Sequence, residues 1–85
     1  MNEFIGKTIV FSGFEDDHIV NNLKHKGVNF SSVTNEGVDF VVYEEQHKSR
    51  SLSSSKIKMA YKLNIPRISK KEFYDKIYNY NLIER

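Results

Sequence analysis

A hydroxyl residue followed by glycine, Ser12-Gly13, closes the apolar run Thr8-Ile9-Val10-Phe11. A run apolar on both faces suits a strand buried on both sides, as in a parallel sheet covered by helices. Such sheets place their ligands at the carboxyl ends of the strands. Ser12 and Gly13 therefore stand where a site is expected, although a glycine there also serves a plain strand-ending turn. The other residues able to do chemistry lack the necessary spacing. His18, His25 and His47 have no ligand spacing with a carboxylate pair, and the chain has no cysteine, so no metal site is expected. Asp16 and Asp17 are adjacent, and adjacent residues at a helix start point apart; they suit capping better than acid–base work. Neither a G-x-S-x-G nucleophile motif nor a Gly-rich phosphate loop ending in Lys-Ser/Thr occurs. Tyr74, Tyr78 and Tyr80 have faces on which bases stack, but on an amphipathic helix they serve as core and rim. The expectation is a non-catalytic domain without a cofactor.

Charge is divided unevenly along the chain. Residues 1–45 hold three basic residues against eight acidic ones, and residues 46–85 hold ten basic against three acidic. A basic half suits an anionic partner, either nucleic acid or a phosphorylated protein, although lysines that simply solvate helix surfaces produce the same count. Eighty-five residues make one domain spanning 1–85, small enough that about 60 % of its unfolded-chain surface is buried on folding. Six phenylalanines and five tyrosines add large buried areas to a 39 % hydrophobic content. The absence of cysteine fits a reducing compartment. No window approaches the roughly 18 apolar residues of a membrane span, and residues 1–6 show no secretory n-region. The expected setting is soluble and intracellular, with no membrane partner: the nucleus in a eukaryote, the cytoplasm in a bacterium or virus.

The elements that must hold these residues follow from local signals. Phe4 and Ile5 are placed to pack before Gly6 turns the chain into the first strand. Ile19, Val20 and Leu23 recur at helix spacing. Asp16 or Asp17 caps that helix, Lys24, His25 and Lys26 fall in its last turn, and Gly27 ends it. Val28-Asn29-Phe30-Ser31 alternates like a half-exposed edge strand. Turn chemistry at Thr34-Asn35-Glu36-Gly37 precedes a β-prone run, Val38–Tyr43, expected to pair with the first strand. Glu44–Ser53 is polar and aperiodic, a surface loop. From Ser54 a helix is expected, with Ile57, Ala60 and Leu63 (or Met59 and Leu63) on one side and Asn64 at its end. Pro66 confines Ile65–Ile68 to a strand start or sheet edge. Ser69-Lys70-Lys71-Glu72 has the form of a capping box, and Phe73, Ile77 and Tyr80 mark the buried face of a last helix. The order β-α-β-β-α-β-α predicts an α/β fold, a mainly parallel four-stranded sheet flanked by three helices.

In this order the chain resembles a BRCT domain, over nearly all of its length. Gly6–Gly13 is similar to the family's opening strand, and the single Gly27 stands where a Gly-Gly pair is usual. Val33-Thr34 and Asp39–Val42 resemble the approach to its third strand. Ser54-Ser55-Lys56-Ile57-Lys58-Met59-Ala60, followed by Leu63-Asn64-Ile65-Pro66, is the most specific block. Phe73 occupies a position where many members carry tryptophan; phenylalanine there is more typical of BRCT domains attached to NAD-dependent DNA ligases and clamp loaders.

The resemblance implies a phosphate-binding pocket made of Ser12, Gly13, Ser54 and Lys56: a hydroxyl, a backbone N–H, a small hydroxyl residue, and a cation early in the second helix. A phosphate of about −1.5 to −2 charges needs donors and a cation together, and a helix N-terminus adds unpaired N–H groups. Ser54 or Ser55 equally suits the N-cap of that helix. Three functions follow from the resemblance. The first is an interaction module of DNA repair or replication that docks onto a phosphorylated protein. With one repeat, the groove between paired repeats is missing unless a homodimer restores it. The second is DNA binding at a 5′-phosphorylated end, with Lys48, Arg50, Lys58, Lys62, Lys70 and Lys71 as candidate backbone contacts, sequence-independent and salt-sensitive. Glu15-Asp16-Asp17 departs from the clamp-loader pattern, which has an extra basic residue in this stretch, and repels DNA at that edge. The third is a scaffold with an idle pocket, packed within a larger ligase or repair protein.

Overall fold

The computed structural model describes residues 3–44 and 55–82. The elements are β1 (Thr8–Ser12), α1 (Asp17–His25), β2 (Asn29–Phe30), β3 (Phe40–Tyr43), α2 (Ser55–Lys62), β4 (Arg67–Ser69) and α3 (Lys70–Asn79). Their order is the one the hydrophobic periodicity predicts. All pairings are parallel and the sheet runs β2-β1-β3-β4. The alternating and β-prone runs predict longer strands than form. Val28 and Ser31 fall outside β2, and Val38 and Asp39 outside β3. Asp39 instead bridges to β1: its N–H donates to the Thr8 carbonyl and its carboxylate accepts from the Thr8 N–H, both at 2.8 Å.

The period-two geometry of the strands sends neighbouring residues to opposite faces. Ile9 and Val42 face one layer, where Ile19 and Leu23 of α1 meet Phe73 and Ile77 of α3. Val10 and Val41 face the other, with Ile57 and Ala60 of α2, Ile65 and Val38; Leu63 packs against this layer and Met59 is exposed. β1 is thus covered on both sides, as its apolar run requires. Phe4, wholly buried, is a hub of the first layer, in edge contact with Phe73 at 5.2 Å and Phe40 at 5.4 Å. Each such aromatic pair adds about 0.5–1.5 kcal/mol beyond its buried area. Ile5 does not join it and is exposed.

The helix ends share one device. Gly27, Asn64 and Asn81, the residues after each helix's C-cap position, have φ of +94°, +57° and +59°. The following residue donates back to the carbonyl of the last turn: Val28 to Leu23, Ile65 to Ala60, Leu82 to Ile77. This is the Schellman closure, which satisfies orphan carbonyls and brings a buried apolar pair together. At the starts, Asp16 rather than Asp17 caps α1, accepting from the Ile19 N–H, and the Ser69 hydroxyl caps α3, accepting from the Glu72 N–H. The Glu72 carboxylate does not return the bond; Ser69 is the last residue of β4 and pairs with Tyr43 in the sheet. No helix among the described residues is long and apolar enough to cross a membrane.

Candidate functional site

The carboxyl ends of β1, β3 and β4 lie side by side. β1 ends at Ser12, and Gly13 turns the chain away in the left-handed region, φ +88°. β3 continues into Glu44, whose N–H donates to the Ser12 carbonyl at 3.2 Å. Lys56, in the first turn of α2, reaches back to this end of the sheet, and its Nζ donates to the Phe11 carbonyl at 2.9 Å. The fold therefore brings Lys56 to the strand end that Ser12 and Gly13 close, from 44 and 43 positions further along the chain. Ser12 is 1 % exposed. Lys56 is half-buried and has no carboxylate within ion-pair distance among the described residues. Ser54, Lys48 and Arg50 lie outside the described residues, as does most of the expected loop 44–53.

The remaining basic candidates separate. Lys58 and Lys62 are exposed on α2, and Lys71 is exposed on α3, on the other side of the sheet. Lys70 is committed elsewhere. Its Nζ pairs with the largely buried Glu44 carboxylate at 3.0 Å and lies over the rings of Phe14 at 4.8 Å and Tyr74 at 5.7 Å. Tyr74 in turn donates its hydroxyl to Asp16 at 2.7 Å. Burial, then the hydrogen bond to Asp16 and its negative charge, hold the Tyr74 phenol well above the ordinary tyrosine range. Nothing in local spacing announces these two links, which span 26 and 58 positions.

Beside Lys56 opens a cavity of about 280 Å³. Its apolar floor is Phe11, Phe14 and Phe30; Phe11 stacks on Phe14 at 4.5 Å and meets Phe30 edge-on at 5.3 Å. Glu15, Asp17 and Lys24 stand on its wall with Lys56. Ser12 does not line it. Sequence spacing marks Asp16 and Asp17 as caps; the cavity exists because the β1–α1 turn folds Phe14 back over Phe11. No family model matches the chain, and comparisons with curated proteins and with solved structures give no match either.

Proposed function

We propose that the domain is a non-catalytic, BRCT-like interaction module that docks onto a phosphorylated residue of a protein partner, within DNA repair or replication as the resemblance implies. The observation that carries this reading is Lys56. A half-buried lysine whose ammonium rests on a neutral carbonyl, with no carboxylate within ion-pair distance among the described residues, is a cation prepared for an anion. It sits at the carboxyl end of a parallel sheet, beside a glycine in the left-handed conformation and near the start of α2, the end of a helix whose dipole favours an anion. A peptide is favoured over a duplex by what surrounds it. Glu15 and Asp17 repel a continuous phosphate backbone, Lys70 is tied to Glu44, and Lys58 and Lys71 fall on different faces of the sheet.

The test is a paired titration at physiological salt. A degenerate phosphoserine peptide pool and a duplex with a recessed 5′-phosphate are each compared with an unphosphorylated twin, on the parent protein and on Lys56→Ala. Phosphate-dependent peptide binding is expected, weakened roughly tenfold or more by the substitution, as for loss of a charge-assisted bond. The same substitution should cost about 1–2 kcal/mol of stability, one hydrogen bond from a charged group, and leave the domain folded. Phosphate-dependent duplex binding that falls steeply with salt would make the domain a DNA-end reader instead. No phosphate effect with either ligand would leave a scaffold.

A further inference from the structure

We infer that the aromatic-floored cavity beside Lys56 is a subsite for a basic side chain, so that the peptide recognised carries a lysine or arginine close to its phosphorylated residue. This deepens the reading above and rests on it for the position of the phosphate. At about 280 Å³ the cavity has room for one long side chain.

Its chemistry is divided. The stacked pair Phe11–Phe14, with Phe30 edge-on, offers an apolar bed for the methylene stem of a long side chain. Phe14 is held in place from another direction by the Lys70 ammonium, so the bed is formed before any ligand arrives. Of three consecutive acids on the wall, the middle one is used by the fold itself: Asp16 caps α1 and accepts from Tyr74. The outer two, Glu15 and Asp17, are exposed, line the cavity and have no ion-pair partner among the described residues. Lys24 stands on the same wall but forms no ion pair with either. One cavity thus presents cations, Lys56 and Lys24, and anions, Glu15 and Asp17, none of them in an ion pair among the described residues. A ligand with a phosphate alone meets repulsion from Glu15 and Asp17; a ligand bearing both charges satisfies both ends. That pairing disfavours nucleic acid, whose backbone supplies anions only.

The experiment uses phosphoserine peptides in which a single arginine is walked through the flanking positions, glutamine being the control residue, each with its unphosphorylated twin. They are titrated against the parent, Glu15→Gln, and the double variant Glu15→Gln/Asp17→Asn. Arginine at one position should tighten binding about tenfold, the scale of a charge-assisted contact, and the double variant should lose that gain while keeping the gain from the phosphate. Glu15→Gln alone, which leaves α1 untouched, should lose part of it. A gain of less than twofold at every position, or a gain unchanged in both variants, overturns the subsite while leaving phosphate recognition standing. An arginine gain that the variants abolish, with no effect of the phosphate, upholds the subsite and overturns the phosphate reading.

Discussion

Asp16 does two jobs with its two carboxylate oxygens: Oδ1 takes the Ile19 N–H and Oδ2 the Tyr74 hydroxyl. The first was legible, because an acid just ahead of an apolar helical repeat is a cap by its chemistry. The second was not, because its partner lies 58 positions away and a tyrosine on a helix announces only that it is amphipathic. The link has a pH signature. The folded phenol holds its proton above the ordinary tyrosine pKa of about 10, so above that pH the unfolded chain binds fewer protons than the folded one and stability falls as pH rises. The contribution is whole below about pH 10 and is lost on the alkaline side. Tyr74→Phe should cost about 1–2 kcal/mol at neutral pH, for a hydrogen bond to a charged group. It should also make the decline in stability above pH 10 shallower, read by urea unfolding across pH 8–11. An unchanged alkaline slope would show that Tyr74 does not govern it.

At the scale of elements, what is local was readable and what is mutual was not. Gly27 and Asn64 stand at their helix ends because glycine and asparagine tolerate a left-handed residue, and the structure puts both there, with Asn81 as the third. Asn64→Ala should destabilise by about 1 kcal/mol, the cost of a Cβ in that region without asparagine's local compensation; Asn64→Gly should be tolerated. Thermal unfolding of the pair separates conformational cost from lost contacts, since both variants lose the side-chain amide. The parallel sheet was likewise readable, from strands separated by helical runs. The trimming of β2 and β3 was not. Val38 alternates like a strand residue, but it packs under α2 as part of the crossing loop, and Asp39 spends its side chain on the Thr8 N–H. Of the candidate site, Lys56 was singled out by the resemblance. The cavity beside it depends on how the β1–α1 turn folds, which no repeat in the chain encodes.

Across the whole molecule, Phe73 is where helix α3 locks onto the sheet: it is fully buried, and its ring touches Phe4, Phe11 and Tyr74 at 5.2, 5.6 and 5.9 Å. Phe73→Ala should cost about 3–5 kcal/mol, a large part of the ~5–15 kcal/mol that holds a domain folded, and should lower one cooperative transition seen alike by far-UV circular dichroism and tyrosine fluorescence. A loss below about 1 kcal/mol would place the core elsewhere. The strand order bears on a different property, behaviour in crowded solution. The outermost strands are β2 and β4, of two and three residues, and beside β4 the Arg67 guanidinium lies 3.8 Å over the Tyr61 ring. Aggregation by strand addition needs a long row of unpaired backbone groups to copy, and neither border offers one. Concentrating the protein should therefore not seed fibrils through the two borders of its sheet.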